Sequence, residues 1–334
     1  MKESPSISLV IPCRNEEKYI YDFLNSVLEN DFPKECMEIF IIDGQSTDST
    51  LKILEEFKSR LSTINILINK KKTVPYALNL GIIAASGDYI IRLDAHTQIP
   101  KNYFSELIRW AQILNADNVG TICLTDIKNI NSRSVAIKKV LSNKFGVGNS
   151  YFRIGTDSIR EVDTVPFGCF KKEVFEKVGL FNENLDRNQD IELNKRIKRS
   201  GGSIFLIPNL YSVYFAREEY LPFAKNNFAT GMWNILTIYL SKRINSISLR
   251  HFIPLIFILS IIIPLLLSLY NPTFKLITFF VLFVYVLFIF LISINLKEKG
   301  TSILSLLMAF VILHFSYGFG SLVGIFKVKF LLRK

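Results

Sequence analysis

The sequence predicts an α/β protein, with a mostly parallel sheet covered by helices on both faces, followed by C-terminal membrane helices. Three observations carry this. Short apolar, β-branched runs alternate with helix-spaced segments between Ile7 and Leu93. Three of those runs, ending at Ile11, Ile42 and Leu93, give way to polar loops that each hold a carboxylate. The composition also shifts: up to about Leu240 the chain is mixed and charged, and from His251 to Phe326 it is almost wholly apolar.

The chain has 334 residues, 49% hydrophobic, and a formal net charge of +11. That length exceeds one ordinary domain. Lys and Arg are frequent beside the apolar segments, which makes anionic lipid a simpler partner than nucleic acid. Cys13, Cys36, Cys123 and Cys169 are scattered, without CxxC or metal-ligand spacing, and read as reduced core residues. Ile7–Pro12 is too short for a signal-peptide core, so none is expected. The sequence holds no internal repeat.

Ser8–Pro12 reads as a first buried strand, Cys13–Glu17 as a polar loop and Tyr19–Leu28 as a helix. Glu38–Ile42 is a second strand. It stops at Asp43-Gly44-Gln45-Ser46-Thr47-Asp48-Ser49-Thr50, a turn into a helix over Leu51–Leu61 with Ser46 or Thr47 placed to cap it. A third strand, Ile64–Ile68, a basic run, Lys70–Lys72, and a helix, Val74–Ala85, lead to the strand Tyr89–Leu93. A helix over Lys101–Asp117 and a strand over Asn118–Leu124 follow.

Tyr89–Leu93 ends in Asp94, with His96 two residues later. In open α/β sheets ligands bind just beyond the carboxyl ends of strands. A carboxylate and an imidazole there can hold a divalent cation against a diphosphate. The plainer reading is a polar strand end with His96 in solvent. Three carboxylate-bearing ends on one edge favour a nucleotide site over three unrelated turns. Arg92 points away from Leu93 in a regular strand and is expected to be a structural ion-pair partner.

Val10-Ile11-Pro12-Cys13-Arg14-Asn15-Glu16-Glu17, Ile42–Thr50, Ala77-Leu78-Asn79-Leu80-Gly81 and Leu93-Asp94-Ala95-His96 resemble, in order and spacing, the family-2 glycosyltransferases of GT-A fold. The resemblance covers residues 6–235. Within that family it is closest to exopolysaccharide-synthesis members that carry Asp-Ala-His in place of Asp-x-Asp. It implies a nucleoside held by Pro12, Arg14, Asn15, Glu16 and Asp43, with Asp43 on the base. The family's usual Asp-Asp-Gly-Ser is Asp43-Gly44-Gln45-Ser46 here, leaving one carboxylate for that role, and Asp48 braces the turn. Asp94 would face ribose and metal, and His96 would be a ligand to Mn²⁺ or Mg²⁺. An imidazole ligand tilts the choice to Mn²⁺.

Asn129–Arg160 is either a flap over a diphosphate or a solvated basic surface. Val165–Phe170 is apolar and tight; Phe167 and Gly168 are candidate acceptor-side residues. Gln189-Asp190 stands where the resemblance implies a Glu-Asp pair opening a helix, so Asp190 would be the catalytic base. At a helix N-terminus its carboxylate is expected to stay ionised. The structural alternative is that Asp190 only caps the helix; Glu192 and Arg196 have the spacing of an i,i+4 pair. Ala224–Trp233 resembles the acceptor-closing segment of membrane glycosyltransferases, with Asn227 in place of the usual Gln and Trp233 beside the acceptor. It also reads as an interfacial helix.

Phe252–Tyr270 and Leu276–Ile294 have the length a bilayer core demands and form a hairpin around Asn271–Thr273. Arg250, Lys297 and Lys299 put both hairpin feet in the cytoplasm. Ser302–Phe326 is a third run. If it spans, Lys327, Lys329, Arg333 and Lys334 land outside, against the rule; it is otherwise re-entrant or interfacial. The expected domains are 1–218, catalytic and cytosolic; 219–250, interfacial and acceptor-gating; and 251–334, in the membrane, with spans near 252–270, 276–294 and 302–326. The resemblance implies a multi-pass cell-membrane enzyme, an inverting glycosyltransferase. It would move a hexose, glucose by analogy, from a UDP-sugar to a lipid-linked saccharide, such as one on undecaprenyl diphosphate, for exopolysaccharide or another surface glycan. The alternatives are a polyprenyl-phosphate sugar synthase and a non-catalytic nucleotide-binding scaffold.

Overall fold

Four strand–helix units open the chain: β1 (Ile7–Cys13) and α1 (Ile20–Leu28), β2 (Met37–Asp43) and α2 (Thr50–Arg60), β3 (Ile64–Ile68) and α3 (Val74–Ala84), β4 (Tyr89–Arg92) and α4 (Tyr103–Ile113). There follow β5 (Asn118–Asp126), the helices α5 (Ser132–Leu141), α6 (Lys144–Val147) and α7 (Tyr151–Ile154), then β6 (Arg160–Glu161), β7 (Cys169–Lys171), α8 (Glu173–Val178), α9 (Gln189–Arg199) and β8 (Ile204–Phe215). The chain continues through α10 (Tyr220–Ser241), 3-10 turns at Ile244–Ser246 and Leu249–Phe252, α11 (Ile253–Leu267), α12 (Phe274–Leu296) and α13 (Ile303–Leu331). The computed structural model describes residues 5–331, with side chains to 328. The side chain of Lys329, and Arg333 and Lys334, lie outside the described residues.

Two compact units form, and they are not contiguous in sequence. One comprises the chain up to Leu124 together with Gly155–Tyr214; the other comprises Thr125–Ile154 and the chain from Phe215 onward. The boundary thus falls a few residues before the one expected at 218, and a central segment joins the C-terminal unit.

In the first unit the sheet order is β3-β2-β1-β4-β7-β5-β8-β6. β1 pairs in parallel with β2 and with β4, and β2 with β3; β4 and β5 pair antiparallel with β7. The reversal at β7 makes the sheet mixed, with its parallel half where the sequence alternates. Central strands covered on both faces must be apolar throughout. Accordingly Leu9, Val10, Ile11, Ile39, Ile41, Ile42 and Ile91 are fully buried. Gly81 lets α3 close onto this layer, since a Cβ there would lie 2.5 Å from Val10 Cγ1. Asn79, buried on the same helix, exchanges two 2.9 Å hydrogen bonds with the backbone of Phe181 and so anchors the strand-free stretch before α9. Asn194 of α9 accepts from Asn118 Nδ2 at 2.8 Å and donates to Thr164 Oγ1 at 2.9 Å. Buried amides satisfied in this way fix one orientation of the helix.

Residues 129–160, expected to be a flap or a solvated basic surface, contain α5–α7, with Asn131 capping α5 through a reciprocal bond with Ser134. Ser46 and Thr47 do not cap α2; its N-cap is Ser49, without a side-chain bond. The turn is instead braced by Asp48, which accepts from Thr50 N at 3.0 Å. Cys13, Cys123 and Cys169 are buried thiols, but Cys36 is only half-buried.

Among the described residues the second unit has three helices long and apolar enough to cross a membrane: Leu249–Leu267, Phe274–Leu296 and Ile303–Val328. α12 exposes apolar side chains around most of its circumference, among them Leu276, Phe279, Phe280 and Phe283. A helix apolar on all sides and exposed has lipid as its natural solvent.

Candidate active site

The site lies at the carboxyl edge of the parallel strands. The loops after β1 and β2 are sewn together. Asn15, held at φ +55, accepts from Thr47 N at 2.8 Å, and its own N–H donates to Ser46 Oγ at 2.9 Å. Glu16 N donates to Thr50 Oγ1 at 2.8 Å. Arg14 is exposed, and its side chain packs over Gly44, where a Cβ would approach Arg14 Cδ to 3.1 Å. Pro12, at the end of β1, is half-buried. These residues form one preorganised platform rather than separate turns.

Asp43 is turned inward. It is 0% exposed, and Ser46 donates to it through its hydroxyl at 2.6 Å and its N–H at 3.1 Å. The carboxylate shapes the loop in this structure.

After β4 the chain turns at Asp94, whose carbonyl accepts from Thr97 N at 3.0 Å. The turn brings His96 Nδ1 to 3.1 Å from Glu16 Oε1. The hydrogen bond with Glu16 holds the imidazole above its ordinary pKa; burial opposes this and Asp94 reinforces it. Sequence reading placed Glu16 on the nucleoside, whereas here its carboxylate orients His96.

Arg92 is the centre of the site. Its side chain is 7% exposed and forks between two carboxylates: Nη2 donates to Asp94 Oδ1 at 2.9 Å, and Nη1 lies 3.2 Å from Asp190 Oδ2. The guanidinium carbon sits 5.4 Å from the centre of the Phe167 ring, and Arg92 N donates to the Gly168 carbonyl at 3.1 Å. A Cβ at Gly168 would lie 2.3 Å from Asn118 Oδ1, so no side chain fits there. Phe167 and Gly168 therefore form the wall and floor for Arg92.

Asp190 occupies the first turn of α9, which is entered through Asn188 in a left-handed conformation. Its side chain is 24% exposed, with Asp94 at 28%. Burial pushes the Asp190 carboxyl above the ordinary carboxylate range; Arg92 pulls it back and Asp94 raises it further. Desolvation thus works against the ionised state expected from the sequence. Two other acids of this stretch, Glu192 and Glu183, are committed elsewhere. Glu192 is buried and pairs with Arg196 at 2.9 Å, as the i,i+4 spacing predicts, and Glu183 is held by Lys71 at 2.8 Å and Asn79 at 3.1 Å.

Asp94, His96, Glu16, Arg92 and Asp190 are brought together in the first unit. Trp233 belongs to α10 of the second unit, where it is half-buried and its carbonyl accepts from Thr237 Oγ1 at 2.6 Å. Asn227, on the same helix, is buried and donates to the Phe223 carbonyl at 2.9 Å.

Among the described residues no three His, Cys, Asp or Glu side chains stand close enough to hold a metal by themselves. The donor set fits a cation completed by substrate phosphates, the usual arrangement at nucleotide sites. One carboxylate and one imidazole are present, and the imidazole is oriented through its Nδ1 by a carboxylate, as metal-binding histidines commonly are.

Comparison with known proteins agrees with the fold and the strand-end motifs. The family model described as glycosyl transferase family 2 matches residues 8–179. A dolichyl N-acetyl-α-D-glucosaminyl phosphate 3-β-D-2,3-diacetamido-2,3-dideoxy-β-D-glucuronosyltransferase of Methanococcus voltae is 32% identical over 230 residues, covering 67% of this chain and 71% of that protein. Succinoglycan biosynthesis protein ExoA of Rhizobium meliloti (strain 1021) is 28% identical over 230 residues, covering 68% of each. Among solved structures, a mannosyltransferase from Pyrobaculum calidifontis in complex with GDP-mannose and Mn²⁺ aligns with a TM-score of 0.52 at 15% identity, over 71% of this chain and 65% of that one. At that identity the likeness concerns the fold, which is GT-A. This chain belongs to glycosyl transferase family 2 and is a glycosyltransferase.

Proposed function

We propose that the protein is an inverting hexosyltransferase that uses a UDP-sugar and a lipid-linked saccharide acceptor in the synthesis of an exopolysaccharide or related surface glycan, with glucose as the sugar and undecaprenyl diphosphate as the carrier. The observation that carries this reading is the fork of Arg92 between Asp94 and Asp190. It ties two carboxylates to one cation. Two acids bridged at a strand edge suit direct displacement: one end binds the donor, and the other accepts the proton of the attacking hydroxyl. The platform of Arg14, Asn15 and Glu16 would receive the nucleotide. Asp94 and His96 would hold Mn²⁺ or Mg²⁺, which when bound stabilises charge on the departing diphosphate. Asp190 would take the acceptor proton, and its raised pKa makes it a stronger base than an ordinary carboxylate.

The acceptor class is supported by the activity for which the Methanococcus voltae relative is named, whose acceptor is a dolichyl phosphate-linked sugar, and by the place of ExoA in succinoglycan synthesis. The apolar helices α11–α13 suit an enzyme working at a membrane. A polyprenyl-phosphate sugar synthase needs no base, because its acceptor is already an anion; Asp190 at the donor edge favours the saccharide acceptor. We place the first unit in the cytoplasm, where nucleotide sugars are made. The test is to incubate membranes containing the protein with radiolabelled UDP-sugars and either lipid-linked saccharides or bare polyprenyl phosphate. Transfer of UDP-glucose label to a lipid-linked saccharide is expected; transfer only to bare polyprenyl phosphate overturns the acceptor assignment.

A further inference from the structure

The third long apolar helix packs on α5, α6 and α10 as well as on the hairpin helices α11 and α12. At its start, Ser132 of α5 accepts from Ser302 N at 2.9 Å and shares a 2.9 Å hydrogen bond with Ser305 Oγ, and Lys139 pairs with Glu298 at 2.6 Å. At its middle, His314 Nε2–H donates to the Phe145 carbonyl of α6 at 2.9 Å, and the Tyr285 hydroxyl lies 3.1 Å from Nδ1. Along its second half it packs backbone to backbone on α10. A Cβ at Gly231 would lie 2.0 Å from the Tyr317 carbonyl, one at Gly320 2.0 Å from that of Phe228, and one at Gly324 2.8 Å from that of Met232. Tyr220 at the start of α10 reaches the Ser305 carbonyl, so the two helices run side by side in the same direction.

Two arguments follow. The first is topological. α10 ends at Ser241, and Lys242, Arg243 and Arg250 precede α11. That cationic stretch puts the end of α10 and the foot of α11 at one membrane surface. The far end of α13 is seated on Met232 and Ile235, near the same end of α10. The start of α13 follows the foot of α12 through the short stretch Lys297–Ser302, and α11 and α12 form a hairpin whose feet share a side. Both ends of α13 therefore lie at one surface. The second argument is energetic. A spanning α13 would draw α5, α6 and α10 into hydrocarbon, together with Lys138, Lys139, Lys144 and Lys225. Each charge at the bilayer centre costs about 2.5–3.5 kcal/mol even on an insertion scale. The broken backbone between α6 and α7 would also sit where lipid offers no hydrogen bonds.

The exposure pattern agrees. The exposed apolar side chains of α13, Leu304, Met308, Phe319, Val323 and Phe326, recur at helical spacing along one stripe, whereas α12 is exposed nearly all round. We propose that α13 is an interfacial helix that docks this stripe into the lipid surface beside the feet of the α11–α12 hairpin, so that the membrane unit crosses the bilayer twice. Exposed Lys299 and Lys327, one at each end, would meet anionic headgroups. This removes the conflict with the positive-inside rule that a third span creates.

Topology is read on the full chain in cell membranes, in a Cys36→Ser background that leaves only buried native thiols. Single cysteines at Lys242, Thr273 and Lys327 are challenged with a membrane-impermeant maleimide in sealed right-side-out and inside-out vesicles. Lys327→Cys is expected to label in the same vesicles as Lys242→Cys, and Thr273→Cys in the opposite ones. Labelling of Lys327→Cys together with Thr273→Cys overturns the proposal. Nitroxides at Leu304, Ile312 and Phe326 give an independent reading in liposomes. Similar shallow depths are expected; an Ile312 label deeper than the Leu304 label by about 12 Å, the rise of eight helical residues, contradicts an in-plane helix.

Discussion

Arg92 Nη1 lies 3.2 Å from Asp190 Oδ2, while the other prong of the same guanidinium donates to Asp94 at 2.9 Å. A buried cation shared by two carboxylates lowers the cost of burying each of them and fixes their separation. The base is thereby tied to the donor edge by one side chain from the strand that precedes both.

A pH profile follows from this. Burial raises Asp190 above the ordinary carboxylate range, and Arg92 opposes the rise. A base works only when deprotonated, so transfer should increase with pH as Asp190 loses its proton. In Arg92→Gln the opposing charge is gone, and the acid limb of kcat/KM against pH should move to higher pH by roughly 1–3 units, the range a close opposite charge commands. Arg92→Lys, which keeps the charge but not the fork, should move it much less. An acid limb in the same place in all three proteins would separate Arg92 from the base.

The Glu16–His96 contact predicts a metal-dependent effect. Glu16→Ala removes the carboxylate that orients the imidazole. Outer partners of ligating histidines commonly carry about 10–100-fold in metal affinity. Calorimetric titration of UDP should therefore show affinity falling at least tenfold with Mn²⁺ present and changing little in EDTA. Equal losses in both conditions would assign Glu16 to the nucleoside alone.

Much of this arrangement is legible in the sequence. Alternation of apolar runs with helical spacing gives every parallel strand to within a residue or two, because strands buried on both faces must be continuously apolar. The polar residues at the ends of β1, β2 and β4 share one edge of the sheet, as parallel pairing of these strands requires. Glu192–Arg196 is readable from its spacing alone. What escapes is the direction of side chains. Nothing in Asp43-Gly44-Gln45-Ser46 reveals that Asp43 turns inward to Ser46, since both bonding and ligand-facing rotamers suit that loop. Pairing between Glu16 and His96 joins residues 80 apart. The helices of the segment Thr125–Ile154 escape notice because its apolar positions, among them Ala136, Ile137 and Val140, are few; α5 packs on a helix that begins at Ile303.

Stability should carry its own pH signature at Glu38. Burial raises its pKa, but hydrogen bonds from Ser8, Ser86 and Gly87 outweigh this and hold it below the ordinary value. A depressed acid stabilises the fold above the unfolded pKa near 4.3, and that contribution is lost as pH falls through the folded value. Glu38→Gln should lower unfolding free energy at pH 7 by about 1–2 kcal/mol, the scale of charged hydrogen bonds partly open to solvent. The difference should shrink towards zero below about pH 4. Chemical denaturation of both proteins at pH 7 and at a pH well below 4 reads it; a pH-independent difference would mean that packing, not charge, is responsible.

The central claim is that Asp190 is the base of sugar transfer, and Asp190→Asn tests it most directly. Asn keeps the size of the side chain but cannot accept a proton at neutral pH. UDP-sugar binding, measured by calorimetry, should stay within a few-fold of wild type, and thermal unfolding should show a folded protein. Transfer to the lipid-linked acceptor should fall by about 10²–10⁴-fold, as removal of a general base does. Transfer by Asp190→Asn at the wild-type rate, with binding intact, would contradict the account.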